Sequence, residues 1–171
     1  MKLKTLFLFL LLAACSANLY AQTSKPKPLD QSFFNLIEGS WAGESEMMGV
    51  VVKEELNCHM DHNRQFLFVN LRAATEDKSH TYSGTGVYGS DVDGNVTSWW
   101  FDDYGISNVA TGSGKIDANK IILDSKNDKR SMNRTLELTG GHLVMKWTST
   151  MKDRDGKDET MTGETIYTKL K

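Results

Sequence analysis

The chain has 171 residues, a net charge of −2 and 39% hydrophobic residues. Charge this close to balance, with no Lys/Arg stripe interleaved with aromatics, argues against a nucleic-acid partner. About 150 residues remain once a leader is removed, one domain's worth, and that is enough to bury a core without disulfides.

The first residues read as a targeting signal. Met1-Lys2-Leu3-Lys4 is a basic start, and Thr5 to Ala14 is an apolar run too short to span a bilayer. Two cleavage readings stand open. Leu12-Ala13-Ala14-Cys15 resembles a bacterial lipobox, in which Cys15 carries the lipid and becomes the new N-terminus. Leu19-Tyr20-Ala21 before Gln22 resembles an ordinary signal-peptidase site, giving a leader over residues 1–21. Either sends the chain out of the cytoplasm, to the periplasm or cell envelope. Only the first gives it a membrane contact, through the lipid. Residues 22–28 form a polar linker holding both prolines of the chain, Pro26 and Pro28. A single domain is expected over residues 29–171.

That domain opens with a short helix, Leu29 to Glu38. Asp30 or Ser32 can cap it, with Phe33, Phe34, Leu36 and Ile37 facing inward and Gly39 ending it. Nine or ten strand-like runs follow, with polar turns between them. They are Trp41–Met47, Val50–Met60, Arg64–Ala74, Thr81–Gly89, Asn95–Asp103, Ser107–Ile116, Lys120–Ser125, Asn133–Leu138, His142–Met151 and Glu159–Leu170. The fourth and fifth make a long hairpin around Ser90-Asp91-Val92-Asp93-Gly94-Asn95, whose Asp, Gly and Asn suit a tight turn. No helical period interrupts these runs, so βαβ units are excluded. The predicted fold is all-β, an antiparallel up-and-down barrel, since closure removes both exposed edges.

Alternation assigns faces. In the second run Val50, Val52, Leu56, Cys58 and Met60 share one side, which Glu54 interrupts. In the ninth, Leu143, Met145, Trp147 and Met151 oppose His142, Lys146, Thr148 and Thr150. The third is apolar on both sides, Phe66 and Phe68 against Leu67, Val69 and Leu71, and is expected to be covered twice, by the helix on its outer side.

The segment Leu36-Ile37-Glu38-Gly39-Ser40-Trp41-Ala42-Gly43-Glu44 resembles the first strand of calycin-type barrels, where Gly-x-Trp marks the closed end. The order of later signals resembles an uncharacterised bacterial lipocalin-like family of unknown function. Those signals are Trp100-Phe101-Asp102, then Gly114-Lys115-Ile116-Asp117, then Glu164-Thr165-Ile166-Tyr167-Thr168-Lys169. The likeness runs from Phe33 to Lys171; it implies a barrel and brings no established activity. Nitrobindins, a neighbouring barrel family, bind haem through a histidine. The last run here has no His, and His142 sits at a strand start, so no haem or other cofactor is expected.

Several motifs invite chemistry and are better read as structure. Cys58, His59, Asp61 and His62 are metal-ligand types, but alternation sends Cys58 and His59 to opposite faces. Cys58, the lone thiol of the domain, reads as a small buried apolar residue. Asp91 to Asn95 and Asp153 to Lys157 place glycine fourth, not sixth as an EF-hand loop requires. Gly112-Ser113-Gly114-Lys115 lacks the leading glycine and following hydroxyl of a phosphate loop. Asp102, Asp103, Glu44 and Glu46 are the carboxylates available for acid–base work.

The aromatic content points instead to a lumen. Trp41, Tyr88, Trp100, Met145, Trp147 and Tyr167 can line a cavity, with Arg72 and Asp102 orienting a ligand. The leading expectation is an exported barrel that binds a small apolar or amphipathic molecule without covalent chemistry. A filled barrel acting as an envelope structural or interaction protein is the alternative. An enzyme using lumenal Asp102 or Glu44 comes third.

Overall fold

The computed structural model describes residues 30–47 and 49–171. The leader, Cys15 and the linker over 22–28 lie outside them. A short helix, α1 (Ser32–Ile37), precedes ten strands. These are β1 (Gly39–Met47), β2 (Val50–Asp61), β3 (Phe66–Thr75), β4 (Thr81–Ser90), β5 (Asn95–Asp102), β6 (Ala110–Asp117), β7 (Lys120–Lys126), β8 (Arg130–Thr139), β9 (His142–Lys152) and β10 (Asp158–Lys169). Each pairs antiparallel with its neighbours, and β1 closes on β10 to complete a barrel with no free edge. The all-β up-and-down barrel read from the sequence is the fold observed.

The register is fixed by which side chains must be inside, because a one-residue slip would turn every apolar residue outward. On β2 the inward set is Glu54, Leu56 and Cys58, with Lys53, Glu55, Asn57 and His59 outside. Leu67, Val69 and Leu71 of β3, Leu136 of β8 and Leu143 and Met145 of β9 meet them in one core. Gly94 turns the β4–β5 hairpin at φ 78°, a backbone region other side chains rarely enter.

Helix α1 closes one end. Phe33, Phe34 and Ile37 are solvent-free within the core, and the Trp41 Nε1–H donates to the Ile37 carbonyl at 2.8 Å. Arg64, in the β2–β3 turn, donates to Asn35 at 2.7 Å and to Glu38 at 2.8 Å. Gln31 donates to the Asp91 carbonyl in the β4–β5 turn. These ties lay the helix across the barrel's end.

Three helix expectations need correction. Gln31, not Asp30 or Ser32, is the N-cap residue, and its side chain makes no capping hydrogen bond; Asp30 instead accepts from Asn35. Leu36 is half exposed because six helical residues bury only one face. The helix does not cover the outside of β3 either. His59 stacks on Phe68 with ring centroids 5.4 Å apart, and His62 meets Phe66 and Phe68 edge-on. Two of the residues grouped as metal-ligand types are thus the outer cover of β3.

Candidate functional site

The barrel interior is divided along its length. At the helix end it is packed with Phe33, Phe34, Trp41 and Leu143. Farther along it turns polar, and three clusters occupy it.

The first is built on Glu54, which is 6% exposed. Its carboxyl accepts from Ser45 Oγ at 2.6 Å, from Thr165 Oγ1 at 3.2 Å and from the Tyr167 hydroxyl. Strands β1, β2 and β10 each contribute, so the cluster staples the seam where the barrel closes. Burial, and then the adjacent Glu54, push the Tyr167 hydroxyl far above the usual tyrosine range, so it stays a donor.

The second lies at the other end. The Asp102 side chain has no solvent exposure. It accepts from Asn108 Nδ2 at 2.6 Å, from the Tyr104 N–H at 3.2 Å, from the Tyr82 hydroxyl at 3.3 Å and from Arg130 Nη2 at 3.5 Å. Tyr82 in turn accepts from Trp100 Nε1 at 2.8 Å, and burial pushes its hydroxyl up to about 12. Asn127 donates to the Asn108 carbonyl, tying the β7–β8 turn to the β5–β6 loop across the rim.

The third is Arg134, on the inward face of β8 between these two. Its Nη1 donates to the Tyr88 hydroxyl at 3.3 Å, and its Nη2 lies 3.1 Å from the Met132 sulfur. Its guanidinium carbon stands 4.6 Å from the centre of the Trp100 ring. Its Nε is buried and has no acceptor among the described residues. Among the described residues no carboxylate lies within ion-pair distance of it. Arg134 and Arg130 line a cavity of about 20 Å³ together with Tyr88, Ser98, Trp100 and Met132. That is room for one or two ordered waters, far below the roughly 300 Å³ at which ligand pockets begin.

The residues named from the sequence separate accordingly. Trp41, Tyr88, Trp100, Met145 and Tyr167 are buried inside. Trp147, partly exposed, packs its ring on Gly163 across the β9–β10 pair. Asp102 is inside, with Asn108, Tyr82 and Arg130 as its side-chain partners. Arg72 is a correction. It alternates with Leu71 to the outer face of β3 and lines an open groove with Ser83, Phe101 and Asp103. Glu44 also points outward. Cys58 is buried, and burial pushes its thiol up to about 12, as a structural cysteine requires. Glu54, Tyr82, Asn108, Arg130 and Arg134 were missed as site residues. Glu54 had announced itself as a break in an apolar face. Arg134 shares the inward period of Leu136 and Leu138.

The chain forms a closed ten-strand antiparallel barrel with several polar side chains in its interior, an architecture consistent with a calycin-like barrel. No family model matches the chain, and no curated protein matches it. Among solved structures it is similar to the crystal structure of Rv2717c from M. tuberculosis. The TM-score is 0.59 at 15% identity, over 80% of this chain and 94% of that one. At that identity the likeness concerns the fold.

Proposed function

We propose that the protein is an exported, lipocalin-like binding barrel that takes a small amphipathic molecule into the polar end of its lumen. The observation that carries this is the division of the interior. One end is packed shut by α1, while the other presents a cavity with an aromatic and thioether wall and cationic side chains. A few orienting polar groups on an apolar wall are what a small-molecule site needs. The cavity is narrow, so the ligand's body displaces Met132 and other flexible side chains, as methionine allows. The leader places the protein in the periplasm or envelope, free or held through Cys15. No cofactor and no covalent step enter this reading, and the family it fits is the lipocalin-like one that the motif order resembles.

The small cavity favours one other reading, a filled barrel that works as an envelope interaction protein. Native mass spectrometry of the protein purified from its own envelope separates the two. A non-covalent mass lost on denaturation is expected. A bare mass under the gentlest conditions, together with no binding of added amphiphiles, would transfer the proposal to the filled barrel. A covalent diacylglycerol-sized increment would identify Cys15 as the anchor.

A further inference from the structure

We infer that the lumenal cavity is an oxyanion site, in which Arg134 receives the carboxylate or phosphate head of the ligand; this rests on the binding reading above and names the chemistry of the head group. A guanidinium offers its Nε–H and Nη2–H as a parallel pair, the edge that holds a carboxylate or phosphate through two hydrogen bonds. In Arg134 that edge faces no oxygen of the described residues. Nε has no acceptor, and Nη2 meets only the sulfur of Met132, a weak acceptor on a flexible side chain. The opposite nitrogen, Nη1, is fixed by Tyr88, and the plane is held by Trp100. The donor edge is therefore oriented and unsatisfied at once.

The charge around it agrees. Arg130 also lines the cavity, and among the described residues no acidic one does. The two buried carboxyls of the lumen are occupied, Asp102 by Arg130, Asn108 and Tyr82, and Glu54 by three hydroxyls. The space holds one or two waters, so a compact head group enters first by displacing Met132, and the tail is left towards the rim. There Tyr104 and Ile106 of the β5–β6 loop stand exposed, with Tyr104 leaning on Tyr82 at 6.3 Å between ring centroids.

The test compares hexanoate, hexanol and inorganic phosphate by titration calorimetry at constant ionic strength. The Arg134 Nε–H resonance is followed in parallel by NMR in the unmodified protein. Hexanoate or phosphate is expected to bind and to move that resonance, with hexanol at least tenfold weaker. Whichever anion binds tells whether the head is a carboxylate or a phosphate. Arg134→Met is expected to lose anion binding at least tenfold, while Arg134→Lys keeps part of it. The resonance needs no variant, so a substitution that fails to fold leaves the test intact. Hexanol binding as well as hexanoate, with the Nε–H unmoved, overturns the oxyanion site and leaves the lumenal binding reading standing. The same holds if neither anion binds but a neutral molecule co-purifies. If nothing binds and nothing co-purifies, both fall.

Discussion

Tyr167→Phe isolates the staple at the barrel seam. Tyr167 is solvent-free and its hydroxyl donates to the buried carboxyl of Glu54. The Phe ring refills the same space, so no cavity is made and only the donor is lost. Hydrogen bonds to charged groups contribute about 1.5–3 kcal/mol, and an acceptor left short of donors in the interior suffers a desolvation cost of similar size. Ser45 and Thr165 still donate to Glu54 Oε1, but Oε2 loses its hydroxyl partner. The expected loss is about 2 kcal/mol, which for a domain of this size lowers Tm by roughly 4–8 °C. Urea unfolding at pH 7, read by the fluorescence of the four tryptophans, measures it. Repeating the substitution in a Glu54→Gln background should cost clearly less, because the partner is then weaker. A loss below about 0.5 kcal/mol, or full additivity with Glu54→Gln, would refute the claim that this contact holds the seam.

Two further outcomes follow from the same interior. Tyr82, Tyr88 and Tyr167 all titrate above the ordinary tyrosine value because of burial, Tyr82 at about 12. The unfolded chain gives up these protons near pH 10 while the folded one keeps them, so the folded state binds more protons above that pH. Stability is therefore full below about pH 8, where Cys58 of the unfolded chain begins to ionise, and falls further as pH rises through the tyrosine range. A urea midpoint that stays constant from pH 8 to 11 contradicts this. Gly84→Ala should destabilise by about 1–3 kcal/mol. Its Cβ would stand 2.5 Å from Trp100 Cζ2, in a ring held by Tyr82 and Arg134 that cannot withdraw. An unchanged urea midpoint would show that ring to be mobile.

Where period and turn chemistry decide the structure, the sequence was readable. All ten strands form close to the runs expected, because each alternates inward and outward and ends at a polar turn. What a period does not say is what covers a face. Phe66 and Phe68 demanded cover, and the helix seemed the only candidate. The cover comes from His59 and His62, brought over β3 by the β2–β3 turn, where His62, Asn63 and Arg64 all take positive φ. The outward place of Arg72 is legible in the sequence. Leu67, Val69 and Leu71 share one face, and an even-numbered neighbour belongs on the other. Arg134 was hidden by a boundary. With β8 begun at Asn133 its period looked too short to read. Begun at Arg130, it shows Arg130, Met132, Arg134 and Leu136 on one side. The partners of Asp102 were beyond reach, since Asn108 lies in a 3₁₀ turn between strands and arrives there only by the fold of the β5–β6 loop.

Arg134 and Tyr167 sit in the same lumen, yet their physical accounts differ in sign. A buried cation recovers its lost hydration only through well-placed partners, and apolar residues of similar volume are often as stable or more so. Arg134 has one hydroxyl, one sulfur and one aromatic face, and no carboxylate within ion-pair distance among the described residues. The stacking contributes about 0.5–2 kcal/mol. Arg134→Met fills much of the same space, removes the unsatisfied Nε–H and leaves the Tyr88 hydroxyl without its cation, a loss of about 1 kcal/mol. The net change in unfolding free energy should therefore lie within about 1 kcal/mol of zero, and a gain would be no surprise. The urea experiment that registers a clear loss for Tyr167→Phe should register little or none here. A drop above about 2 kcal/mol would make Arg134 a strut of the core. A near-zero or positive change, beside a tenfold loss of anion binding, is what distinguishes a side chain kept for a ligand from one kept for the fold.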